Sequence, residues 1–98
     1  IRKGSPTYGK YVSIELSEDN KKQLYIPRGF AHGYSVLSES AIFAYKVDNN
    51  YAPKCDAGIL WKDPDLNIQW GVNNDDILIS KKDSKLPSFS ELESPFTF

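Results

Sequence analysis

The sequence predicts an all-β domain, an antiparallel sandwich or barrel, and three observations carry that prediction. Short apolar runs recur about every ten residues, enough for roughly seven strands. Clusters of Gly, Pro, Asn, Asp and Ser separate those runs and supply turn chemistry. No stretch sustains the apolar period of 3.6 residues that a long helix needs.

The elements follow in order. Ile1–Gly9 carries Gly4, Pro6 and Gly9 and reads as a loop, with Ile1-Arg2-Lys3 looking like the tail of an earlier strand in a longer protein. From Lys10 the pattern alternates, with Val12, Ile14 and Leu16 on one face of a half-buried strand. Ser17–Lys22 is a polar turn, or one helical turn capped by Ser17. Gln23–Ile26 is a brief strand with Leu24 and Ile26 inward, and Phe30–Leu37 is another beyond the turn at Arg28-Gly29. Ser38–Ser40 connects tightly to Ala41–Val47, where Phe43, Tyr45 and Val47 share a face, and Asp48-Asn49-Asn50 ends that strand. A loop at Tyr51–Ala57 leads to the apolar Gly58–Trp61, a turn at Lys62–Asp65, and Asn67–Trp70. The Gly71–Asp76 loop precedes a last strand, Ile77–Ile79. Ser88-Phe89-Ser90-Glu91 fits a capping box and predicts a short C-terminal helix or turn, after which Pro95–Phe98 is apolar enough to need a docking place. A set of strands this small leaves edges and part of an inner face to be covered by a partner chain or further residues.

Composition narrows the function. Ninety-eight residues amount to one small domain, and 40% apolar content argues against disorder. Twelve basic and 13 acidic residues are mixed along the chain, so no basic stripe exists for nucleic acid to bind. No apolar run approaches the ~20 residues of a membrane span. The single cysteine, Cys55, favours a reducing cytoplasm. It has no basic neighbour but Lys54 and reads as an ordinary thiol. One histidine and one cysteine without ligand-like spacing make a poor metal inventory.

The most informative stretch is Ile26-Pro27-Arg28-Gly29-Phe30-Ala31-His32-Gly33-Tyr34, which sets the only histidine between two glycines. Imidazole is the side chain whose ordinary pKa lies nearest neutrality, and glycine permits close approach of backbone or ligand. His32 is therefore either a polar ring presented to a cavity or a buried structural histidine. Two further blocks accompany it in order: Phe43-Ala44-Tyr45-Lys46 through Tyr51-Ala52-Pro53 to Gly58-Ile59-Leu60-Trp61, then Ile79-Ser80-Lys81-Lys82-Asp83. With Lys3–Gly9, these blocks resemble the dTDP-4-dehydrorhamnose 3,5-epimerase family over about the first nine-tenths of the chain.

The resemblance implies a cupin-like double-stranded β-helix, or jelly roll, that forms a homodimer. It makes residues 1–98 the C-terminal part of one such domain. It implies a catalytic acid at Tyr45 and, at Asp83, a carboxylate that orients the base histidine. His32 and Lys82 are implied to bind the nucleotide-sugar, although Lys81 is as well placed as Lys82 to point inward. Tyr51 is implied to stack on thymine, and Asp56 occupies a binding position usually held by glutamate. The family's base histidine lies in an upstream R-G-L-H strand, which this sequence does not contain. The implied reaction inverts C3 and C5 of a dTDP-4-keto-6-deoxyhexose on the route to dTDP-L-rhamnose. Each inversion removes a proton α to the ketone and returns one to the opposite face, which needs a base, a donor and no redox cofactor or metal. A relative acting at C3 alone, or a non-catalytic nucleotide-sugar-binding fragment lacking the base, fits the same residues.

Overall fold

The computed structural model describes all 98 residues, Ile1 to Phe98. Regular structure is sparse. One short helix, α1, spans Lys81–Ser84, and 3-10 turns occupy Pro53–Cys55, Asn74–Asp76 and Phe89–Glu91. A single parallel bridge joins Lys3 to Thr97.

The strand ladders expected of a sandwich, barrel or jelly roll do not form within this chain. There are 18 backbone–backbone hydrogen bonds, where a folded domain of this size carries about 65. None of them involves a residue between 22 and 51. The cause is the nature of the strand. A helix or turn satisfies its own amides, whereas an extended segment takes every ladder bond from a neighbour. Gln23–Ile26, Phe30–Leu37 and Ala41–Val47 find no such neighbour here. They meet through side chains instead: the Tyr34 and Phe43 rings stack 4.2 Å apart, and Phe43 and Tyr45 lie 5.1 Å apart.

The turns stand where the sequence puts them, because each closes with groups a few residues apart. Ser17 Oγ accepts from the Asn20 amide, Asn20 Oδ1 accepts from the Ser17 amide, and the Lys21 amide donates to the Ser17 carbonyl, a polar turn closed by a single helix-like bond with Ser17 as its cap. Gly29 holds φ of +89° at the turn before Phe30, a region costly for residues with a Cβ. The Glu91 carboxylate accepts from both the Ser88 amide and hydroxyl, so the expected C-terminal turn is present.

Packing is concentrated in the last forty or so residues. Ile59, Leu60, Trp61, Ile68, Trp70, Leu86 and Phe89 are half-buried there. Its hub is Asp63, 2% exposed, whose carboxylate accepts from the Asp65, Leu66 and Phe89 amides. Those bonds, that of Phe89 first, hold its carboxyl below the usual carboxylate range. The C-terminal segment docks as anticipated: Lys3 and Phe96, then Phe98 and Lys3, exchange backbone bonds, and Ser94 Oγ donates to the Ile1 carbonyl. Arg2 lies between the Phe30 and Phe98 rings, 5.1 and 5.2 Å from their centroids.

Elsewhere the apolar residues stay in water. Only Gly29, Asp63 and Ser94 are buried, none of them apolar in side chain. Val12 is 91% and Ile42 97% exposed, and Ile14, Leu16, Leu24 and Ile26 are exposed as well, not inward as anticipated. This chain places nothing against the face that alternation marks. No helix is long and apolar enough to cross a membrane.

Candidate functional site

A cleft of about 550 Å³ opens where the 41–47 segment turns into the 3-10 turn at Pro53–Cys55, lined by Tyr45, Val47, Asp48, Tyr51, Cys55 and Asp56 among others. Its wall is built by local means. Asp48-Asn49-Asn50 reverses the chain, and Asn49 Oδ1 accepts from the Asn50 amide. Pro53 then starts the 3-10 turn with its φ already set, and Cys55 donates its amide to the Ala52 carbonyl. That turn sets Tyr51 before it and Asp56 after it on the same cleft.

α1 is tied to the cleft through Asp56. Ser80 caps the helix by accepting from the Asp83 amide, and Lys82 reaches out to donate to Asp56 Oδ2. The Asp56 carboxylate holds the Lys82 ammonium above the ordinary lysine pKa, with smaller contributions from Tyr51 and Asp83. Asp56, Tyr51 and Asp83 are therefore all within electrostatic reach of the Lys82 ammonium.

Of the six residues the sequence nominated, three line the cleft and a fourth is ion-paired to it. Tyr45, 71% exposed, lines the cleft with its ring 5.1 Å from that of Phe43. Asp83 is on α1 next to Lys82, and its carboxylate accepts no hydrogen bond. His32 is exposed and does not line the cleft. It lies two residues from Tyr34, whose stack on Phe43 joins its segment to that of Tyr45. The close approach anticipated beside it is taken by the chain itself. A Cβ at Gly33 would lie 3.2 Å from the Trp70 ring, and the Trp70 indole donates to the Trp61 carbonyl.

Two features of the site were not anticipated. Arg28 forms an ion pair with Asp48 on the rim, 2.7 Å at its closest; both are turn residues 20 positions apart, and nothing in their spacing announces the pair. α1 itself is the second, although Ser80-Lys81-Lys82-Asp83 has the S-x-x-D form of a capped helix start.

Two phenols and a carboxylate–ammonium pair thus stand around one open cleft. The chain belongs to the dTDP-4-dehydrorhamnose 3,5-epimerase family, whose model matches residues 1–91. It is similar to the dTDP-4-dehydrorhamnose 3,5-epimerase of Shigella flexneri, 54% identical over 83 residues, which is 85% of this chain and 45% of that protein. The enzyme of the same name from Sinorhizobium fredii is 45% identical over all 98 residues, half of its own length. That of Escherichia coli K12 is 47% identical over 92 residues, covering 94% of this chain and 49% of the relative. The chain thus spans about half the length of the curated relatives it matches. No solved structure gives a significant match.

Proposed function

We propose that this chain is the C-terminal part of a dTDP-4-dehydrorhamnose 3,5-epimerase, one cupin-type jelly roll completed by a further segment and working as a cytoplasmic homodimer. The substrate is dTDP-4-dehydro-6-deoxy-D-glucose and the product dTDP-4-dehydro-L-rhamnose. A base removes the proton at C3 or C5, the electron pair moves into an enolate at the C4 oxygen, and a proton returns to the opposite face of the same carbon. Tyr45 is the donor: phenols ordinarily titrate near 10 and are protonated at neutral pH. Asp83 orients a base histidine that comes from outside these 98 residues, Tyr51 stacks on the thymine, and His32 contacts the nucleotide-sugar. Asp56 and Lys82 make the polar end of the site.

The observation that supports this reading best is the gathering of Tyr45, Tyr51 and Asp56 around one cleft, with Lys82 paired to Asp56. The roles taken from the family need that proximity. The test is deuterium wash-in from heavy water into the dTDP-sugar, using a polypeptide of the relatives' length that contains these residues. Label at C3 and C5 is expected. Label at C3 alone would make it a single-centre epimerase, and dTDP binding without wash-in would remove the catalytic reading.

A further inference from the structure

We propose that the Asp56–Lys82 ion pair is a positioning device that holds α1, and with it Asp83, against the cleft wall; this rests on the reading of Asp83 as part of the catalytic machinery. The pair is the only hydrogen-bonded link between residues 45–57 and residues 80–85. It bridges 26 positions of sequence. Farther from the cleft, the same two stretches run alongside each other in one direction: a Cβ at Gly58 would meet Leu86, and the Leu60 amide donates to the Pro87 carbonyl. That seam fixes one end of the contact, and Asp56–Lys82 fixes the end at the cleft.

α1 needs such a tie. Four residues are too few for a helix to hold itself in place, and the side-chain bonds of Ser80 and Ser84 are internal to it. The Asp83 carboxylate accepts no hydrogen bond of its own, so its position is inherited from its neighbour Lys82. The Lys82 ammonium, in turn, is already engaged by Asp56 and is held protonated by it. Stability is not what the pair supplies. With the Lys82 side chain 60% and that of Asp56 30% exposed, a pair of this kind contributes little to folding. What it sets is geometry: the separation between the Asp83 side and the Tyr45–Tyr51 wall.

The test is a double-mutant cycle in the full chain, with Asp56→Asn, Lys82→Met and both together. Amide exchange over residues 80–86 is expected to quicken about three- to tenfold in each single variant. No further gain is expected in the double variant, and Asp56→Glu should restore the slow rate. Tm should move by less than about 2 °C, as for a half-exposed pair. Unchanged exchange, or effects that add in the double variant, would overturn the proposal. In a polypeptide competent for turnover, the same singles should lower kcat about tenfold, beside any rise in KM from the substrate contacts these two residues also make. A rise in KM with kcat unchanged would leave them substrate ligands alone and would also overturn it. If the unaltered protein gives no wash-in at all, the epimerase reading fails, while the exchange cycle still decides the tie between Asp56 and Lys82.

Discussion

Replacing the Tyr45 hydroxyl with hydrogen removes a proton donor and leaves the ring that packs on Phe43. On the proposed mechanism, Tyr45→Phe lowers turnover between about a hundredfold and ten-thousandfold, the usual worth of a general acid. Affinity for dTDP should stay within about twofold, and steady-state kinetics beside dTDP titration checks both; unchanged turnover would remove Tyr45 from the chemistry. Asp63 tests a different property. Its folded-state pKa is lowered by the Phe89, Leu66 and Asp65 amides, so its contribution is fully present above the unfolded carboxylate value near 3.9. It is lost as pH falls through the lower folded value. Asp63→Asn should therefore lower Tm by about 5–10 °C at neutral pH. It should also flatten the dependence of Tm on pH below about 4, and a series of melts from neutral to acid pH would show both. The place of Tyr45 at the cleft was legible because it shares an alternating face with Phe43 and sits in a motif. Asp63 was not: Lys62-Asp63-Pro64-Asp65 reads as a turn, and its bond to Phe89 spans 26 positions that no local pattern connects.

Turns are the elements that the sequence announces most faithfully, since their chemistry is contained within three or four residues. Gly29 and Gly4 separate two costs that such positions carry. Both have left-handed φ, +89° and +84°, but a Cβ at Gly29 would fall 2.7 Å from Arg2 Cγ, while at Gly4 it would meet nothing within 4 Å. Gly4→Ala is expected to cost about 1 kcal/mol, the conformational part alone. Gly29→Ala should cost more, because the buried turn must also push aside the Arg2 side chain that lies between Phe30 and Phe98. Urea midpoints for the two variants measure the difference, and equal losses would show that Arg2 yields freely. The same locality made the Ser88–Glu91 turn readable and would have revealed α1, had Ser80 and Asp83 been taken as cap and third residue. Strands offer no such closure. Alternation at Val12, Ile14 and Leu16 tells which side chains share a face, but it is silent on which backbone lies alongside.

At the scale of the whole molecule, the chain has its punctuation in place and its ladders missing. The radius of gyration is 14.4 Å, against about 12.6 Å for a compact domain of this length. Exposed large side chains such as Val12, Tyr45 and Val47 belong to runs whose period of two calls for burial on one face. Edges of this kind attract other strands unless they are covered. The relatives, about twice as long, are where such cover would be found. Amide exchange separates the alternatives. In the isolated chain, amides 22–51 have no backbone acceptor and should exchange at nearly the unprotected rate. The Asp65, Leu66 and Phe89 amides, held by the Asp63 carboxylate, should exchange more slowly. In a polypeptide of the relatives' length, alternate amides of Phe30–Leu37 and Ala41–Val47 should gain protection by a hundredfold or more, the signature of strands paired along an edge. Protection of 22–51 already present in the isolated, monomeric chain would mean that these segments pair with one another. The reading of a domain completed from outside would then fall.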